Sequence, residues 1–214
     1  MRPVVCMITA PIGSPAEEDA LVQRIGSAAR AGAHLIQIRQ PHYEALALTR
    51  LVERARLAVA GTAARVLVND RVDVALSAGA HGVHLRSESM PAARVRQIVP
   101  AGFVIGRSVH GLEEAVAVER DGGLDYLLFG TVFATGSKPG VEPAGVERLA
   151  AVCASTLLPV LGIGGMTVSS LPPVARTGAA GFAAIGLFSG AATEALPHLL
   201  AAAISAFDTP GGLP

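Results

Sequence analysis

Side chains able to grip or move charged groups recur in tight clusters along this sequence. Gln37 and Arg39 are two positions apart, and Asn69-Asp70-Arg71 are contiguous. Arg86-Ser87-Glu88 follow His84 closely, Ser108 and His110 flank Val109, and Thr131, Thr135, Ser137 and Lys138 share one stretch. The Arg39 guanidinium can hold a phosphate or pyrophosphate through two parallel bonds, or pair with Asp70 to satisfy a buried polar layer. Lys138, within Thr135-Gly136-Ser137-Lys138-Pro139-Gly140, has the hydroxyl and glycine neighbours of an anion clamp. Gly164-Gly165 and Gly186 let backbone N–H groups approach a phosphate. Of the two candidate proton carriers, His84 lies inside an apolar run and reads as structural. His110 stands at the end of one, where imidazole can serve as general acid or base.

These clusters need elements to position them. Apolar runs at 4–9, 34–39, 65–69, 82–85, 103–108, 126–130, 159–163 and 181–185 predict eight strands. They are continuous rather than alternating, as in a parallel sheet covered on both faces. Helical patterns alternate with them at 17–31, 43–59, 72–78, 92–98, 112–121, 145–154, 169–177 and 191–206. Eight βα units predict a single (β/α)₈ barrel, a TIM barrel, over residues 1–207, with 208–214 as a flexible C-terminal tail. The turn Ala10-Pro11-Ile12-Gly13 after the first strand is no dinucleotide fingerprint, which argues against a doubly wound sheet. Every polar cluster then falls at the C-terminal end of a strand, where barrels place their chemistry.

Composition agrees with an aliphatic core. Of the 214 residues 51% are hydrophobic, 4% aromatic and 16% charged, with 17 Lys+Arg against 17 Asp+Glu. A zero net charge without basic blocks excludes a nucleic-acid reading. Cys6 and Cys153 have no metal-ligand spacing and read as reduced core residues. No apolar run reaches membrane-spanning length and the first is too short for a signal peptide, so the expectation is a soluble cytoplasmic protein, with a homo-oligomer open.

With these residues in view, the chain resembles the thiamine phosphate synthase/TenI family. The matching stretches are Gln37-Ile38-Arg39, residues 68–75 around Asn69-Asp70-Arg71, Gly82-Val83-His84-Leu85, and 105–110 ending in Ser108-Val109-His110. Residues 125–133, Thr135-Gly136-Ser137-Lys138 and 159–166 follow in family order. The resemblance implies one of two activities. A synthase joins an aminopyrimidine diphosphate to a thiazole phosphate with Mg²⁺ and releases pyrophosphate; a TenI-type tautomerase moves a proton on a thiazole phosphate carboxylate without metal or other cofactor. It also implies that Arg39, Asn69 and Lys138 face pyrophosphate, Asp70 a Mg²⁺, and Gln37 and Ser108 the pyrimidine; in a divergent synthase Asp70 with Glu88 would hold that Mg²⁺. Thr135, Ser137, Gly165 and Gly186 would face the thiazole phosphate, and Thr131 and Leu187 are further substrate-binding candidates.

Three positions depart from the family patterns. Synthases carry a Lys where this chain has Pro41 and a second metal-binding Asp where it has Ser89, while tautomerases carry a His where it has Thr131. Loss of a carboxylate weakens a hard-cation site, and loss of a Lys weakens stabilisation of departing pyrophosphate. The sequence reading is therefore a TenI-like enzyme with His110, Arg39 and Lys138 as catalytic candidates. Its alternatives are a divergent thiamine phosphate synthase and a non-catalytic sensor of thiazole or thiamine phosphate.

Overall fold

The computed structural model describes residues 3–136 and 140–208. Its elements run β1 (Val4–Ile8), α1 (Pro15–Arg30), β2 (Leu35–Ile38), α2 (Ala45–Ala58), β3 (Arg65–Asn69), α3 (Val72–Ser77), β4 (Gly82–Leu85) and α4 (Ala92–Arg96). They continue with β5 (Val104–Val109), α5 (Leu112–Asp121), β6 (Tyr126–Phe129), α6 (Gly145–Ser155), β7 (Val160–Ile163), α7 (Leu171–Ala175), β8 (Gly181–Ala184), α8 (Gly186–Ser189) and α9 (Leu196–Asp208). Each strand pairs in parallel with the next, and β8 closes on β1 with Val4 opposite Gly181. The fold is the single (β/α)₈ barrel that the eight apolar runs require.

Strand alternation divides the apolar residues into two cores. Cys6 and Ile8 point into the barrel with Leu35, Leu67, Tyr126, Leu128, Leu161 and Ala183. Val5 and Met7 point the other way and join the larger core between sheet and helices, with Ile25, Leu51 and Phe182. Both faces of each strand are buried, which is why the runs show no polar alternation. The thiol of Cys6 is pushed up to about 12 by burial and is inert; neither cysteine is in a disulfide.

Helix ends follow local chemistry. The Ser14 hydroxyl accepts from the Glu17 N–H, Pro15 sits in the first turn, and Glu17 and Glu18 complement the helix dipole, so α1 starts two residues before the expected position. The expected helix at 169–177 is a three-residue 3₁₀ turn, Val168–Ser170, running into α7. The last helix is likewise preceded by a 3₁₀ turn, Thr193–Ala195, and extends through Asp208; residues 209–214 lie outside the described residues. The single turn α8 was not expected, because four residues carry no readable periodicity. Among the described residues no helix is long and apolar enough to cross a membrane.

Candidate active site

Register lines up one polar layer near the C-terminal mouth. Asn69 pairs with His84, His84 with Gly106, and Gly106 with Tyr126, across β3 to β6. Gly106 is needed here because a Cβ would lie 2.1 Å from Tyr126 Cζ. Through that gap the Tyr126 hydroxyl reaches His84 Nδ1 at 2.9 Å, while His84 Nε2 lies 2.9 Å from Ser108 Oγ. Burial lowers His84 to about 3, so the ring is neutral, and burial holds Tyr126 protonated. The buried Tyr126 hydroxyl has His84 Nδ1 as its acceptor, so Nε2–H donates to Ser108 and leaves the serine proton for a molecule in the mouth. His84 is thus structural, as expected, but it also orients Ser108.

Three contiguous cavities cross this face. The central one, about 300 Å³, is lined by Gln37, Arg39, Asn69, His84, Ser108, His110 and Thr131, with Arg86, Glu88 and Thr135 at its edges. A cationic compartment of about 260 Å³ shares Arg39, Asn69 and Arg86 with it and adds Asp70 and Arg71. A glycine-lined compartment of about 580 Å³ shares Thr135 and Gly164 with the centre and adds Gly165, Gly186 and Leu187. One cleft therefore has a cationic end at β2–β4 and an end rich in glycine backbone at β7–β8.

Individual partners refine the expected roles. Gln37 is buried and donates through Nε2 to Asn69 Oδ1 at 2.9 Å, while its Oε1 has no partner among the described residues. Asp70 does not pair with Arg39: its carboxylate accepts from Arg86 Nε at 2.7 Å and from the Ser89 hydroxyl. The cause is position, since Asp70 adopts a left-handed backbone (φ 63°) that turns it toward the loop after β4. Arg39 is exposed at the mouth and makes no ion pair among the described residues. Glu88 is exposed on the rim, and among the described residues no three His, Cys, Asp or Glu side chains converge on one point.

His110 Nδ1 lies 2.5 Å from the Gly130 carbonyl; the carbonyl only accepts, so Nδ1 donates to it and the ring is oriented by that bond. Thr131 is buried beside it. At the other end Gly165 has φ 63°, and a Cβ there would lie 2.5 Å from the Ala134 carbonyl oxygen, so glycine is required by the backbone as well as suited to an anion. At Gly186 a Cβ would meet nothing within 4 Å, and Leu187 is half-buried beside it. Ser137 and Lys138 lie outside the described residues.

Two arginines escaped the sequence reading as site residues. Arg107, buried in β5, donates to the carbonyls of Ser87 at 2.5 Å, Ser89 at 2.8 Å and Met90 at 3.0 Å, and so fixes the loop after β4 from behind. A charged residue within an apolar strand was the available signal. Arg86, the first residue beyond β4, stands at the lip between the central and cationic cavities.

Residues 5–188 match the family model described as thiamine monophosphate synthase. The chain belongs to the thiamine phosphate synthase/TenI family. It is 37% identical over 202 residues to a thiamine-phosphate synthase of Chlorobium luteolum, covering 93% of this chain and 92% of that one. A thiamine-phosphate synthase of a Roseiflexus species is 38% identical over 195 residues, covering 88% and 82%. Among solved structures, thiamine phosphate pyrophosphorylase from Pyrococcus furiosus superposes with a TM-score of 0.83 at 31% identity over 98% of this chain and 97% of that one. A 3-hexulose-6-phosphate synthase, at 20% identity and a TM-score of 0.71 over 96% and 99%, shares the fold alone. The names of the relatives favour the synthase alternative over the tautomerase reading.

Proposed function

We propose that this chain is a thiamine phosphate synthase, joining an aminopyrimidine diphosphate to a thiazole phosphate. The observation that carries the reading is the two-ended cleft: a cationic compartment at β2–β4 and a glycine-lined one at β7–β8, meeting over Gln37 and Ser108. A thiazole phosphate carboxylate places its phosphate and its carboxylate on a single ring, whereas condensation of two phosphorylated molecules requires a diphosphate site and a phosphate site with two rings between.

On this reading Arg39 and Asn69 receive the diphosphate, and among the described residues nothing occupies the Arg39 fork of donors. The bare Oε1 of Gln37 accepts from the pyrimidine amino group, removing a buried unsatisfied acceptor, and Ser108, oriented by His84, donates to the same ring. Thr135, backbone N–H groups at Gly165 and Gly186, and the Leu187 flank receive the thiazole phosphate. The carbon–oxygen bond to diphosphate breaks with its electron pair leaving on oxygen, and the thiazole nitrogen lone pair forms the new carbon–nitrogen bond. On the resemblance alone, Lys138 is proposed to bind the diphosphate and Ser137 the thiazole phosphate.

The residues fit Mg²⁺ bound jointly with substrate: Asp70 supplies a carboxylate at the cationic end, Glu88 is a second carboxylate on the rim, and a Mg²⁺ of this kind takes its remaining ligands from phosphate oxygens and water. Bound there it would neutralise charge on the departing diphosphate. The protein is proposed to work in the cytoplasm, where both substrates would be made.

His110 supports a second reading, because its imidazole, anchored on the Gly130 carbonyl, lines the central cavity, and an imidazole there can move a proton. The decisive experiment incubates the protein with both phosphorylated substrates, with and without Mg²⁺, and follows thiamine phosphate and pyrophosphate. Mg²⁺-dependent appearance of both is expected, with His110→Asn slowing it by less than about 10-fold. Isomerisation of the thiazole carboxylate phosphate instead, with a loss of about 10²–10⁴ in His110→Asn, would establish the tautomerase.

A further inference from the structure

We infer that Arg86 is a diphosphate-binding residue that guards the Asp70 carboxylate until metal and diphosphate arrive together. The inference rests on the synthase reading of the cationic compartment. Among the described residues Asp70 is the one carboxylate lining that compartment, against Arg39, Arg71 and Arg86. Arg71 is committed elsewhere, donating to both carboxylate oxygens of Asp73 at 2.9 and 2.6 Å. Arg86 spends one donor on Asp70, Nε to Oδ2 at 2.7 Å, and its two terminal nitrogens make no hydrogen bond among the described residues. That leaves a forked pair of donors at the lip shared by the cationic and central cavities.

The loop is built so that this side chain can change partners without moving the backbone. Arg107 holds the carbonyls of Ser87, Ser89 and Met90, and the Ser89 hydroxyl accepts from the Arg86 N–H at 2.9 Å while donating to Asp70. The Arg86 side chain itself is 62% exposed, and an exposed ion pair contributes little to stability, so the exchange is easily made. A divalent cation approaching Asp70 alone meets a guanidinium already on the same carboxylate, whose positive charge opposes its binding. When diphosphate accompanies the metal, the released guanidinium takes the diphosphate oxygens through charge-assisted bonds, and every charge is paired. Arg86 thereby supplies the cation missing at Pro41, and Ser89 keeps Asp70 aimed in place of a second carboxylate.

The test uses inorganic pyrophosphate and Mn²⁺ as probes on the intact chain. Calorimetry of pyrophosphate at saturating Mg²⁺ should show Arg86→Ala weakening binding about 10-fold or more, with Arg86→Lys intermediate because it restores charge without the fork. Electron paramagnetic resonance of Mn²⁺ without pyrophosphate should show the opposite change, about 5-fold tighter binding in Arg86→Ala, because the competing charge is gone. Arg120→Ala, exposed in the last turn of α5 at the other end of the barrel, controls for net charge and should alter neither. Pyrophosphate affinity unchanged in Arg86→Ala, Mn²⁺ binding no tighter, or equal effects from Arg120→Ala would each overturn the inference. These readings are independent of turnover, so a wild-type protein that makes no thiamine phosphate would sink the synthase assignment while leaving the Arg86 result to be read by itself.

Discussion

At the N-terminal end of the barrel, His34, His81 and Asp125 each stand immediately before an even-numbered strand and accept an N–H from the strand before it. His34 Nδ1 takes Val5 N–H at 3.2 Å, His81 Nδ1 takes Val66 N–H at 3.0 Å, and Asp125 Oδ2 takes Ile105 N–H at 2.7 Å. At the C-terminal end, among the described residues, Gln37 keeps a bare buried oxygen, Arg86 two spare nitrogens, Arg39 a guanidinium without an ion pair, and Gly186 open space. Polar groups whose capacity is consumed by backbone hold the fold together; polar groups with capacity left over mark where a ligand completes the accounting. The contrast predicts that substitutions at the two ends separate cleanly, activity without stability at one and stability without activity at the other.

The largest effect is expected from Arg39→Ala. Its guanidinium is exposed and holds no neighbour by an ion pair, so thermal unfolding should stay within about 2 °C of wild type, the small shift typical of surface substitutions. If Arg39 grips the diphosphate as it departs, kcat/KM for synthesis should fall by about 10²–10³. A comparable loss of unfolding temperature would place Arg39 among the structural residues and break the comparison.

Asp125→Ala tests the other end. Its carboxylate accepts from Ile105 N–H and from Arg96 Nη2, both at 2.7 Å, and Arg96 also donates to the carbonyls of Phe103 and Gly123. Removal leaves a strand N–H without its acceptor, so urea unfolding should show a loss of about 1–3 kcal/mol with kcat/KM nearly unchanged. Asp125→Asn keeps an acceptor oxygen and should recover most of that loss. If Asn is as damaging as Ala, charge rather than the hydrogen bond holds the strand end.

Much of this architecture was legible beforehand, for a physical reason. Parallel strands buried on both faces write themselves as continuous apolar runs, and a polar residue ending such a run has few places to go except the mouth. Gln37, Arg39, Asn69, Ser108 and His110, each at the end of such a run, line one cavity. That logic failed where a long side chain chooses among partners by backbone direction rather than by spacing. Asp70 turns to Arg86 instead of Arg39 because of a left-handed φ that Asp tolerates and sequence does not announce. Tyr126 reaches His84 only because Gly106 leaves a gap between them, which is a statement about three strands at once. The choice between the two family reactions leaned on Pro41 and Ser89 as losses, whereas Arg86 and the Ser89 hydroxyl stand where substitutes are needed.

The smallest effect concerns acid, and it tests whether the lower end is held by neutral imidazole. His81 Nδ1 can accept from Val66 N–H only while that nitrogen is unprotonated. Burial, together with the charges of Arg56 and Arg65, lowers its affinity for a proton below the ordinary value of 6.5. A group of this kind takes up a proton more readily unfolded than folded, so its stabilisation is fully present above pH 6.5 and is lost as the pH falls toward the folded value. His84, lowered to about 3, acts in the same direction across the window from 6.5 to about 3, with a slope of at most about 1.4 kcal/mol per pH unit. Wild-type stability to urea should therefore decline between pH 7 and pH 5. In His81→Gln, the amide oxygen can still accept the Val66 N–H and does not titrate, so the decline should be shallower than in wild type while His84 keeps it from vanishing. Superimposable profiles for the two proteins would mean that the Val66 N–H is satisfied equally well when His81 is charged, and that the strand ends owe nothing to its neutrality.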